Sequence, residues 1–214
     1  SNVAYLLVLL TPLRGRLPLG ARWLVTVGVI GSFALVTRFE PSVLRASAMA
    51  AIAVSTSLAG RPTAPLRVLA LAVTGLILVD PLLVRSVGFQ LSVAATLGIV
   101  VGSGPIARAL RGPEVVRQAL AVTLSAQLAV APLLAPRFGG VPVVAVPANL
   151  VAAPAAGLVT MWGLPAGVAA GALGSPAAGW LHRPTELGIG WVAGTARVAA
   201  GLPLGELDLT AVAL

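Results

Sequence analysis

Residues 65–103 read PLRVLALAVTGLILVDPLLVRSVGFQLSVAATLGIVVGS. Two runs of Leu, Val, Ala and Ile, at about 65–79 and 87–103, meet across a stretch that holds Asp80, Arg85, Gln90 and Ser92. The runs are helical in length and lack the period-2 alternation of a membrane barrel. A backbone immersed in hydrocarbon must satisfy its own hydrogen bonds, and a helix does so within one segment. The stretch therefore predicts two spanning helices joined by a polar turn.

The rest of the chain extends that pattern. Of 214 residues, 58% are hydrophobic and 9% charged, with a mean hydropathy of +1.01. Soluble domains carry about 25% charged residues, so the composition predicts an all-α, polytopic transmembrane helix bundle. Cysteine is absent, which excludes disulfides and thiolate metal sites. Lysine is absent too, so all 14 cations are Arg, and the net charge is +8. That charge suits a positive-inside bias or an acidic polymer as substrate. The opening at Ser1 has neither a basic segment nor a cleavage-site pattern, and reads as the start of a piece of a longer protein.

Hydrophobic runs between breakers predict helices at about 1–13, 19–37, 42–59, 65–79, 87–103 and 114–135. Residues 141–174 are apolar but interrupted by Pro142, Pro147, Pro154 and Pro165, which predicts proline-broken helix. Broken backbone is tolerated at membrane depth where it is buried in protein or lines a wet cavity. The abundant Gly and Ala there also suit close helix packing. A weaker helix at about 177–201 carries Trp180, His182, Arg183, Glu186, Trp191 and Arg197, and reads as interfacial or partly spanning. Loops at 14–22, 60–67 and 104–117 hold Arg14, Arg16, Arg22, Arg61, Arg67, Arg108, Arg111 and Arg117 against Glu114 alone. Those at 38–45, 80–86 and 136–142 hold Arg38, Arg45, Arg85 and Arg137, with Glu40 and Asp80. By the positive-inside rule the first set faces the cytoplasm and the second the outside.

No catalytic machinery is legible. The chain has no Gly-rich phosphate loop to couple ATP hydrolysis, no HExxH pattern and no GxSxG elbow. The single His182, beside Arg183 and Trp180, suits the headgroup level rather than a metal site. Glu206 and Asp208 read as a solvated tail. The expectation is a non-enzyme with no catalytic residue, metal or cofactor.

Four polar groupings remain. Pro41-Ser42-Val43-Leu44-Arg45-Ala46 opens a helix, with Ser42 as its natural N-cap and Arg45 one turn in. The opening stretch supplies Asp80, Arg85, Gln90 and Ser92, with Ser92 and Thr96 on one helix face. Asp80 suits either a pair with Arg85 or a cap on the turn that follows. Thr123 and Gln127 share a face ahead of Pro132, and Asn149 lies between Pro147 and Pro154. Arg at mid-bilayer costs roughly 2.5–3.5 kcal/mol, so these side chains are expected to face the bundle interior. Interhelical hydrogen bonds, worth about 0.6 kcal/mol each, are one use for them. A hydrated path for a polar or anionic solute is the other.

Taken in order, Pro41 to Ala46, Asp80-Pro81, and Gly88-Phe89-Gln90-Leu91-Ser92-Val93-Ala94-Ala95-Thr96-Leu97-Gly98 resemble the membrane-embedded competence domain of ComEC-type proteins. Ala126-Gln127-Leu128-Ala129, Pro132-Leu133, Phe138-Gly139, Ala148-Asn149-Leu150 and Pro154 continue the likeness, which covers about 41–157. Ser1-Asn2-Val3-Ala4 resembles the end of the family's first membrane motif. The resemblance implies a multi-pass channel of the cell inner membrane for DNA uptake in natural transformation. One strand would enter the cytoplasm, helped by an outer-side DNA receptor and a cytoplasmic ATP-driven translocase, with self-association as an option. Typical members add an OB-like region and a metallo-β-lactamase-like domain, and residues 1–214 read as the single transmembrane domain between them.

A single DNA strand carries a charge at every nucleotide, so its conduit must be wet and cationic near its mouth. On this reading Arg45 and Arg85 attract the strand while Gln90, Ser92, Gln127 and Asn149 line its way. Pro41, Asp80, Pro81, Gly88, Phe89, Pro132 and Pro154 shape the framework. The residues alone leave two rivals open: a secondary transporter for a small anionic or amphipathic solute, and a non-transporting membrane anchor.

Overall fold

The computed structural model describes residues 18–138, 141–142, 144–202 and 206–207. The helix expected at 1–13 and the motif at Ser1 to Ala4 lie outside the described residues. Within them the protein is an all-α bundle with seven α-helices: α1 Leu19–Val36, α2 Pro41–Leu58, α3 Pro65–Val79, α4 Val87–Ala109, α5 Glu114–Phe138, α6 Ala145–Leu173 and α7 Ser175–Ala200. A 3-10 turn, Pro81–Arg85, links α3 to α4, and a two-residue antiparallel bridge pairs β1 Val141–Pro142 with β2 Glu206–Leu207. Val87–Ala109, Glu114–Arg137 and Ala145–Gly171 are long and apolar enough to cross a membrane.

Proline starts several elements. Pro41, Pro65 and Pro81 each sit in a first turn, where the missing N–H has no partner to lose. This corrects the expected Ser42 cap. The fixed φ of Pro41 is already helical, so α2 begins one residue early with Glu40 as N-cap. Ser42 Oγ instead donates to Glu40 Oε1 at 3.2 Å.

The segment expected to break at its prolines does not break. α6 runs unbroken from Ala145 to Leu173 with Pro154 and Pro165 inside it. Pro147 falls in its first turn and is harmless there. Each interior proline leaves the carbonyl four residues back without its usual donor, while the helix continues through both positions. α4 likewise continues through Pro105 to Ala109, beyond the expected end at 103.

The chain divides into two units, 1–133 and 134–214. In the first, Ile30 and Phe33 of α1 pack on Ala46 and Ala50 of α2. The link between these helices carries Arg38 at φ 53° and Phe39 at φ 56°. Their N–H groups donate to Leu35 O at 3.0 Å and Ala34 O at 2.8 Å, closing the last turn of α1. Glycine normally takes this left-handed position, and other residues incur about 1–2 kcal/mol there.

α4 meets α5 along a seam of small residues. A Cβ on Gly98 would strike the Ser125 carbonyl oxygen and Ala129 Cβ, and one on Gly102 would lie 3.1 Å from Ser125 Oγ. Gly98 and Gly102 form a Gly-x-x-x-Gly pair, the spacing that lets two helix backbones approach.

In the second unit α6 and α7 form an antiparallel hairpin turned at Gly174, whose φ is 79°. Trp191 Nε1 of α7 donates to Val151 O of α6 at 3.1 Å, and Trp162 Nε1 of α6 donates to Leu181 O of α7 at 2.8 Å. Val151 lies three residues before Pro154, and Leu181 three before Pro184. Each indole thus donates to the carbonyl next to the one its opposing proline leaves free, Leu150 O for Pro154 and Trp180 O for Pro184.

Burial mixes polar and apolar side chains, and large aliphatic ones lie bare on the outside. Thr26 and Ala121 are fully enclosed, Ser125 is 3% exposed and Arg45 9%, while Leu78, Val79, Val115 and Val168 are largely bare. Small and polar side chains share the interior with Ile30, Val54, Val68, Leu69 and Phe89, while many large aliphatic ones face outward, as lipid allows. Most interior hydroxyls donate to their own helix, among them Thr26 to Arg22 O, Ser103 to Ile99 O and Ser125 to Ala121 O.

Candidate functional site

Arg45 is the fifth residue of α2 and Ser92 the sixth of α4, and Arg45 Nε donates to Ser92 Oγ at 2.7 Å. The bond brings the N-terminal ends of α2 and α4 to one end of the first unit. The 37–40 and 80–86 links therefore share that end. Arg38, Phe39, Glu40, Asp80 and Arg85 gather there, all exposed, with Arg45 a turn inside.

The Arg45 guanidinium is poorly matched for so enclosed a cation. Its second bond, Nη1 to Met49 Sδ at 3.2 Å, uses a weak acceptor. Among the described residues the one ion pair joins Arg117 to Glu114, on another helix, and no carboxylate reaches Arg45. A buried cation without a counter-charge is strongly unfavourable unless an anion or water completes it. Thr96, expected on the Ser92 face, donates its hydroxyl to Ser92 O at 2.9 Å.

The other expected path residues do not join this pair. Gln90 sits two positions from Ser92, about 200° round the helix, and Nε2 reaches back to Val84 O at 2.6 Å, bracing the 3-10 turn. Its Oε1 is enclosed with no donor. Arg85 is exposed in the last position of that turn. Gln127 lies two residues beyond Ser125, hence on the α5 face turned from the α4 seam. Asn149 is exposed on α6, in the second unit.

Most of the expected framework residues sit at the starts of helices or turns. Asp80 caps the 3-10 turn, its Oδ1 accepting Leu82 N–H at 3.0 Å, so of its two expected uses the cap is realised. Ser86 Oγ accepts Phe89 N–H at 3.3 Å, and Phe89, 3% exposed, anchors the start of α4. Gly88 has only Ser86 Oγ near a would-be Cβ, at 3.9 Å. Pro132 lies exposed within α5. Sequence reasoning missed Phe39 beside Arg38 and the Gly98–Gly102 seam. The Gly spacing was the available signal for the seam, whereas a left-handed Phe has none.

The second unit carries a cleft of about 510 Å³ between α6 and α7, lined by Pro147, Val151, Trp191, Val198 and Leu202 among others. Its lining hydroxyl, Thr195, donates to Trp191 O, so the cleft offers no group suited to a charged solute.

The sequence profile of the family described as Competence protein matches residues 2–214. No curated protein and no solved structure matches the chain. The ordered motifs from Pro41 to Pro154, the outward-facing aliphatic bundle and this match agree, and the chain belongs to the Competence protein family, as the membrane-embedded competence domain of ComEC-type proteins that take part in DNA uptake.

Proposed function

We propose that this domain forms the passage by which a single DNA strand crosses the cell inner membrane during natural transformation. The observation that carries the reading is Arg45, enclosed among helices with a hydroxyl and a thioether for partners and no carboxylate. Its charge is left for a passing phosphate. Arg38 and Arg85 at the same end draw the strand in, with Ser92 holding Arg45 in position. The end bearing these residues faces outward, because the opposite loops carry the excess of arginine. The chain acts as a multi-pass conduit rather than a catalyst. Energy comes from an ATP-driven partner on the cytoplasmic side, and DNA is delivered by a receptor on the outer side.

Arg45→Leu and Arg45→Lys in the full-length protein test this. Swapping a buried ion for an apolar side chain is often neutral for folding, so Arg45→Leu should reach the membrane at normal abundance. Transformation frequency should nevertheless fall about tenfold or more, one lost charge contact being worth 1.5–3 kcal/mol. Arg45→Lys should recover part of it. Normal uptake by a normally inserted Arg45→Leu protein refutes the assignment.

A further inference from the structure

We propose that the Arg38–Phe39 turn is a nucleobase-binding site, Phe39 stacking on a base of the incoming strand while Arg38 meets an adjacent phosphate. The inference rests on the passage reading above and adds to it a point of contact with the bases. Two consecutive non-glycine residues hold left-handed backbone, at φ 53° and 56°. For a side chain as bulky as Phe that conformation is an outlier. The hydrogen bonds to Leu35 O and Ala34 O explain the path of the backbone, yet glycine would make them without strain. Strain retained at one place points to a use for the side chains held there.

The surroundings narrow that use. Phe39 is 51% exposed. The four tryptophans each carry a polar or cationic contact: Trp23 with Ser55, Trp162 with Leu181, Trp191 with Val151, and Trp180 beneath Arg183 at 4.1 Å. Phe33 is partly buried against the α1–α2 contact, and Phe89 is 3% exposed. Phe39 is half open and, unlike the four tryptophans, shows no polar or cationic contact to its ring. Phe also lacks the polar tip by which Trp and Tyr settle at the lipid headgroups, and a cation precedes it directly. Arg45 lies four residues beyond Pro41, about 6 Å along α2. Stacked nucleotides advance about 3.4 Å each, so a base on Phe39 leaves a phosphate near Arg45 within about two nucleotides. Stacking on a bare ring is indifferent to base identity, as uptake of arbitrary DNA requires.

The test uses the full-length protein in lipid nanodiscs and fluorescence anisotropy with two labelled probes, a 20-nucleotide oligo-dT and an abasic strand of equal length. Losing one stacked base should weaken oligo-dT binding by about 5- to 140-fold in Phe39→Leu and leave the abasic strand unchanged. Phe39→Trp should bind as wild type. Phe39→Gly relieves the backbone strain and so folds at least as well, yet should lose oligo-dT binding in the same way. Wild-type affinity for oligo-dT in both Phe39→Leu and Phe39→Gly overturns the proposal and leaves Phe39 as a lipid contact. Absence of binding of either probe to the wild-type protein overturns the passage reading itself.

Discussion

Gly98→Ala probes the α4–α5 seam directly. The new Cβ would strike the Ser125 carbonyl oxygen and stand 2.5 Å from Ala129 Cβ. Carbon atoms prefer about 3.5–4.0 Å, so the two helices must part by about 1 Å. The carbonyl belongs to the α5 backbone and cannot rotate aside. Overpacking of this kind costs about 1–3 kcal/mol, while alanine regains up to about 1 kcal/mol of helix propensity. Gly75→Ala in α3 isolates the packing part, because a Cβ there meets nothing within 4 Å and receives the same propensity gain. The difference between the two variants should be about 1–3 kcal/mol, a 5- to 140-fold difference in the folded-to-unfolded ratio. Equilibrium unfolding in mixed detergent micelles, followed by circular dichroism, reads it. Adding Ala129→Gly should restore part of the loss. Ser125→Ala should not, since the collision is with the backbone of that residue. Equal stability of Gly98→Ala and Gly75→Ala, within about 0.5 kcal/mol, refutes the close approach of α4 and α5.

Asp80→Ala removes the cap on the 3-10 turn and should cost about 0.5–2 kcal/mol, seen first as faster hydrogen exchange at the Leu82 amide that Asp80 now holds. Trp162→Phe and Trp191→Phe each delete one indole bond across the α6–α7 hairpin. Each should lower unfolding free energy in micelles by about 0.6 and at most 1.7 kcal/mol, whereas an unchanged value would make the two bonds incidental.

The helices were legible because their signal is local. Unbroken runs of Leu, Val and Ala bounded by Pro and Gly place α1 to α5 within three residues of where they lie, except that α4 continues six residues past its expected end. Misreadings arose where a proline has two meanings. Pro41 starts α2 instead of preceding its cap, and Pro154 is carried inside α6 without ending it. The site was only half legible. That Arg45 turns inward follows from the cost of placing it in lipid, but its partner depends on how α2 lies against α4. Gln90 and Ser92 look equivalent in the sequence and diverge by half a helical turn in space. Phe39 was invisible, since nothing in the letters Thr-Arg-Phe-Glu announces a left-handed turn.

The two crossed indole bonds carry a mechanical consequence. Val151 and Trp162 are eleven residues apart on α6, so the rivets sit about 16 Å from each other along the axis, one driven from each side. Sliding or twisting either helix against the other would shear both at once. The hairpin should therefore travel as a single stiff bar, and any hinge belongs to other parts of the molecule.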